Sequence, residues 1–269
     1  MRRIVLIAGL AFLYLPPAVV ALYSFNASRL VTVWTGVSTQ WYGELLNDPQ
    51  IMRAAGLSLA IATAAATLAT ILGTAAGLAL ARFGRFRGRA ALTGLIAAPL
   101  VMPEIITGLS LLLLFVAMQQ LLGFPGRGIG TIVIAHATLG LAYVTVVVQA
   151  RAAAQDRAIE EAAADLGAPP ARVFWAVTLP MLRPAVVAGW LLAFVLSFDD
   201  LVVASFVAGP QSTTLPMVVF SAIRLGVSPK INALATLLML ATAVVIGIAV
   251  LLARRTAPGN SAGPTAAIR

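Results

Sequence analysis

Residues 156–180 read DRAIEEAAADLGAPPARVFWAVTLP, a polar stretch held between two long apolar runs. Ile159, Ala162, Ala163 and Leu166 fall at i, i+3, i+4 and i+7, the spacing of one helical face. Asp156 is placed to cap the helix, Gly167 to end it in a left-handed conformation, and Pro169-Pro170 to prevent its continuation. A second short helix is expected from about Pro170 to Leu179, before Pro180 and Pro184 lead into the next apolar run. The first helix's stripe is mostly alanine, which makes a shallow ridge rather than a core-filling face. Such a ridge suits insertion into a groove on another protein. Packing against the chain's own bundle is the alternative.

Outward from this loop the chain is strongly apolar. Of its 269 residues 61% are hydrophobic and 10% charged, against roughly 25% charged in a soluble domain. Mean hydropathy is +0.99. Too little polar surface remains to coat a water-soluble globule, so lipid is the expected solvent. Six stretches, 4–24, 54–81, 91–118, 129–150, 184–208 and 232–253, approach or exceed the ~20 residues needed to cross a bilayer. Without water to satisfy their amides, each is expected to be helical. The run after Met1-Arg2-Arg3 reads as an uncleaved span, because Ala18-Val19-Val20-Ala21 does not spell a small-x-small cleavage site.

Orientation follows from charge. With both termini inside, 13 of the 18 basic residues fall in inner segments, as the positive-inside rule expects. The same placement argues against nucleic-acid binding, since no basic stripe or stacking platform accompanies the net charge of +9. The outer stretch 25–53 carries Trp34, Trp41 and Tyr42 and is expected along the membrane interface. The transmembrane domain is expected over 1–253, with a cytoplasmic loop at 151–183. Residues 254–269, rich in Ala, Pro, Gly, Ser and Thr, read as a disordered cytoplasmic tail. Ala69, Gly73, Gly77 and Ala81 form a ridge of small residues that lets another helix approach closely, within the chain rather than between subunits.

Glu161-Ala162-Ala163, then three residues, Gly167, nine residues, Val177, one residue and Leu179-Pro180 resembles the EAA motif of permease subunits in binding-protein-dependent ABC importers. Seven specified positions across 20 residues match. Stretches such as Ala98-Pro99-Leu100-Val101-Met102-Pro103-Glu104, Leu196-Ser197-Phe198-Asp199-Asp200 and Thr214-Leu215-Pro216 resemble the putrescine/spermidine permeases, with Phe198 where Leu is expected. The resemblance implies an all-α membrane protein of six transmembrane helices in the type I importer permease (MetI-like) fold, N-in and C-in, in a bacterial inner membrane. It implies that Glu161, Ala162, Ala163, Asp165, Gly167, Leu179 and Pro180 couple to an ATP-binding subunit. It also implies a second homologous permease subunit, two ATP-binding subunits and a periplasmic polyamine-binding protein as partners, besides membrane lipid.

Glu104, Asp199 and Asp200 are acidic residues inside apolar spans, where ionisable groups are costly and mark candidate sites. At 1.5 Å per residue Asp199 lies roughly 22 Å beyond Pro184, and Glu104 about 20 Å beyond Ala91. Both depths fall in the outer half, where no lysine or arginine accompanies them. Such a lining would lower the desolvation cost of a polycation. Structural carboxylates are the alternative, and adjacent aspartates point about 100° apart, so one is expected to face a neighbouring helix. His136 reads as a packed, hydrogen-bonded group rather than a proton carrier, and Pro99 and Pro103 as kinks in the third span.

The chain has no cysteine, no catalytic Ser/His/Asp pattern in sequence, no metal cluster and no glycine-rich phosphate loop. It is therefore expected to catalyse nothing and to bind no cofactor, with ATP and magnesium on a partner chain. A permease of the same fold for another small solute, or an ion-coupled secondary transporter, remains the competing reading.

Overall fold

A chain this apolar satisfies its backbone internally, and it does so by helices. The computed structural model describes residues 2–30, 33–226 and 228–256, and among them the sole β pairing is an isolated bridge between Asn26 and Val37. The helices are α1 (Arg2–Tyr23), α2 (Gln40–Leu46), α3 (Pro49–Arg82), α4 (Arg89–Val101), α5 (Glu104–Leu122) and α6 (Ile129–Ala153). Then come α7 (Ala158–Asp165), α8 (Pro170–Val173), a π-turn (Phe174–Thr178), α9 (Leu179–Asp199), α10 (Val202–Val207), α11 (Leu215–Leu225) and α12 (Pro229–Thr256). Five described helical runs are long and apolar enough to cross a membrane: Arg3–Tyr23, α3, α5, α6 and Pro170–Asp199. Arg254–Thr256 continue α12, whereas the rest of the expected tail, 257–269, lies outside the described residues.

Two compact units result, one from the segments up to Pro49 and from Ala222 onward, the other from Gln50 to Ser221. In the first, α12 packs on α1 and α2. The loop after α1 is organised by Asn26, fully buried, whose Nδ2 donates to Val33 O at 2.8 Å and whose Oδ1 accepts from Ser28 and Thr35 amides. Trp41 donates from Nε1 to Asn26 O at 2.6 Å. Trp34 of the same stretch is 44% exposed, whereas Trp41 is 4% exposed. Its indole proton needs an acceptor, and the folded loop supplies one. Lys230 and Asp48 form an ion pair at 2.6 Å at the start of α12.

In the second unit the small-residue ridge of α3 packs on α6. A Cβ on Gly73 would stand 2.7 Å from Val144 Cβ, and one on Gly77 2.9 Å from Thr145 O. Without a hydrophobic drive between helices in lipid, close van der Waals approach of this kind is what holds them. α6 also packs extensively on α9, where Gly140 backs onto Ala193 and Gly189 onto Val144. α5 packs on α10, and Phe115, Ile132, Val203 and Val207 form their shared core with Ile61 of α3.

Three expectations need correction. The third apolar stretch, 91–118, is two helices rather than one kinked helix. Met102 is extended (φ −74°, ψ 139°), as the residue before a proline prefers, and Pro103 caps α5. The stretch 184–208 is likewise interrupted, at Asp200 (φ −69°, ψ 124°), after which α10 begins anew. Finally, the short helix expected to stop near Leu179 does not stop: the chain is helical from Pro170 to Asp199. Pro180 has no N–H to give, and Leu179 N–H reaches back five residues to Phe174 O, so the widened turn accommodates the ring.

Candidate functional site: a carboxylate pocket and an exposed helix

Both interruptions serve one pocket. It is lined by Pro99 and Glu104 at the first break, by Ser197 and Asp200 at the second, and by His136 and Tyr143 of α6. Non-helical backbone at membrane depth is tolerated where it lines a cavity or packs on protein. Glu104 occupies the first turn of α5 and is exposed; no lysine or arginine lines the pocket. Asp200 begins α10 by accepting from Ala204 N at 2.7 Å and Val203 N at 3.3 Å. Its Oδ2 also lies 3.0 Å from His136 Nε2, and His136 Nδ1 lies 2.6 Å from Ser197 Oγ. When Nε2 carries the hydrogen that Asp200 accepts, Nδ1 accepts from the serine hydroxyl.

The three acidic residues thus separate. Glu104 and Asp200 meet in the pocket, while Asp199, one residue earlier, is exposed and lines none of it. His136 and Ser197 escape sequence reasoning as site residues; their signal was a single histidine in an otherwise apolar span. The fold also assembles a Ser–His–Asp chain that sequence order had hidden. Its carboxylate is engaged by the Val203 and Ala204 amides at the start of α10. The bonds read as a staple joining α6, α9 and α10. Among the described residues no group of three or more His, Cys, Asp or Glu could hold a metal.

The second candidate region is the loop. α7 buries none of its residues. Asp156 Oδ1 accepts from Ala158 N at 3.0 Å, and Gly167 adopts φ +82°. Gly167 N donates to Ala164 O and Ala168 N to Ala163 O, the two bonds of a Schellman closure. Ile159 is 51% and Leu166 90% exposed, so the apolar stripe is uncovered. Glu161 and Asp165, one turn apart and exposed, put negative charge beside it, and Ala162 is exposed as well. Leu179 and Pro180 belong instead to the first turn of α9, beyond the π-turn.

Glu160, which sequence reasoning passed over for Glu161, is the inward residue. Its Oε1 accepts from Arg82 Nη2 at 3.1 Å and from Thr178 Oγ1 at 3.1 Å. Arg82 Nη1 also donates to Gln155 O at 3.4 Å, and Gln155 Nε2 donates to Met181 O at 2.8 Å.

Comparison with known proteins agrees with this architecture. Residues 69–259 match the family model of the binding-protein-dependent transport system inner membrane component. The chain is 59% identical over 245 residues to the putrescine transport system permease protein PotI of Escherichia coli (strain K12), covering 91% of this chain and 87% of that protein. It is 39% identical over 251 residues to the spermidine/putrescine transport system permease protein PotC of the same strain, covering 93% of each. In fold it is similar to a bacterial ABC transporter involved in the import of the acidic polysaccharide alginate (TM-score 0.72, 18% identity, 96% of this chain and 95% of that one). It is also similar to the MetNI methionine ABC transporter in inward-facing conformations (TM-score 0.58, 16% identity, 74% and 92%). The chain therefore belongs to the inner-membrane permease components of binding-protein-dependent transport systems, as a non-catalytic, multi-pass subunit of an ABC importer.

Proposed function

We propose that the chain is one permease subunit of an ATP-driven importer of putrescine or a related polyamine. It pairs with a second homologous permease, receives solute from a periplasmic polyamine-binding protein, and rests on two ATP-binding subunits. It crosses the membrane six times, through α1, α3, the α4–α5 pair, α6, the run from α8 to α10, and α12, with both termini inside. α12 is 28 residues long, about 42 Å at 1.5 Å per residue, ample for a span. The basic residues concentrated on one side support that orientation. The chain itself binds no nucleotide; ATP and magnesium belong to the partner.

The observation that carries the substrate class is the pocket at the two helix breaks, where Glu104 and Asp200 gather with no lysine or arginine in its lining. A primary ammonium leaving water needs anionic and oxygen partners in sequence, and weak ones so that it can leave. Glu104 supplies an exposed carboxylate in the first turn of α5. Asp200 supplies a charge that α6 and α10 hold in place. The resemblance to permeases named for putrescine and spermidine supports the same class.

At its inner end the uncovered stripe of Ile159, Ala162 and Leu166, flanked by Glu161 and Asp165, supports a docking role for α7 on the ATP-binding subunit. The decisive experiment is uptake of labelled putrescine by the complete importer in proteoliposomes. Glu104→Gln should lower uptake by about tenfold while nucleotide hydrolysis persists. Uptake at the wild-type rate would remove Glu104 from the path.

A further inference from the structure

The coupling helix poses a mechanical problem. α7 buries none of its residues, so its own packing cannot make it a rigid lever. Among the described residues, every side-chain hydrogen bond from α7 to another element ends on one atom, Glu160 Oε1. That oxygen joins three elements: α7 itself, the C-terminal residue of α3 through Arg82, and the last residue of the π-turn through Thr178. The ion pair is well sheltered, with the side chains of Arg82 and Glu160 10% and 17% exposed. Thr178 is 7% exposed.

Each partner also sits where helix dipoles favour it, the cation in the last turn of α3 and the anion in the first turn of α7. Arg82 further grips the backbone of Gln155, whose side chain holds Met181 O in the first turn of α9. The end of α3, the start of α7 and the start of α9 are thus fastened at one knot. α9 runs from that knot to Ser197 and Asp200 in the pocket.

We propose that Arg82, Glu160 and Thr178 are positioning residues for energy coupling. They clamp α7 to α3 and to the π-turn, so that displacement of α7 by the ATP-binding subunit moves α9 instead of rocking a loosely held helix. The inference rests on α7 being the docking element, and the test separates the two claims.

The assay is the assembled importer in proteoliposomes, reading ATP hydrolysed and putrescine taken up in the same vesicles. Glu160→Gln and Arg82→Gln should each leave hydrolysis running and raise the ATP spent per putrescine by about tenfold. The charge exchange Arg82→Glu with Glu160→Arg should bring the ratio back toward wild type. Because the chain has no cysteine, Arg82→Cys with Glu160→Cys can be joined by a reducible bis-methanethiosulfonate linker. The linked protein should be coupled, and reduction of the same molecules should uncouple it, which excludes a folding defect as the cause. Leu166→Asp tests docking alone and should abolish uptake. A wild-type ratio in both Gln variants, or equal coupling before and after reduction, overturns the clamp. Undiminished uptake by Leu166→Asp overturns the docking role beneath it.

Discussion

At the scale of single residues, His136 shows how a polar group is kept inside an apolar span. The ring is 4% exposed and uses both nitrogens, one toward Ser197 and one toward Asp200. His136→Ala leaves the serine hydroxyl and one carboxylate contact unmatched, at about 1–3 kcal/mol for each group so stranded. The purified variant should unfold several degrees below wild type in detergent, and an unchanged midpoint would show that the staple adds nothing. A histidine among Ala and Ile is legible in sequence as unusual, but its partners are 61 and 64 residues away, beyond the reach of spacing arguments. For the same reason the motif singles out Glu161 in the sequence and leaves Glu160 unremarked. Only the position of Arg82, 78 residues distant, distinguishes the clamped one from the outward one.

At the scale of elements, the water-exposed helix was the most legible part, because its signals are local. The aspartate cap, the apolar spacing and the terminal glycine act within a few residues of one another. Gly167 holds φ +82° with open space around its missing Cβ, so any penalty on substitution lies in the backbone alone. Gly167→Val should cost about 1–2 kcal/mol locally and loosen the end of α7. An importer carrying this variant is expected to assemble normally and to hydrolyse ATP with reduced uptake. Gly167→Asn, which tolerates the left-handed region, should lose much less.

Packing between elements gives a sharper contrast. Gly73→Val forces a side chain into Val144 and should destabilise by about 1–3 kcal/mol, whereas Gly56→Ala meets nothing within 4 Å and should be silent. Denaturation midpoints of the two variants measured side by side check the pair. The helix breaks were less legible. Pro99 and Pro103 signalled a disturbance, yet whether a proline bends or ends a helix depends on what its neighbours offer the freed carbonyls. At Asp200 there is no proline at all, and the interruption is made by a side chain that binds the next helix's amides.

At the scale of the molecule, the distribution of arginine predicts which side of the membrane each loop faces. A cysteine in place of Arg85 should react with a membrane-impermeant maleimide only after cells are opened. A cysteine in place of Arg127 should react in intact spheroplasts. The reverse pattern would invert the orientation proposed above. Class and fold family could be read from composition and a 20-residue motif, since both rest on sums or on local spacing. That Glu104 lies with Asp200 rather than with Asp199 could not, since it depends on which helices lie against α6.

Two of the membrane-depth helical runs are already cut, after Val101 and after Asp199. An intact helix resists bending because each turn would have to surrender bonds to a solvent that offers none in return. Here that surrender is made in advance. The helices on either side of Met102 can swing by torsion alone, whereas at Asp200 the side-chain bonds to His136 and to the α10 amides hold the joint. An extended joint of this kind turns without melting a helix, which suits a transport subunit that works through many cycles.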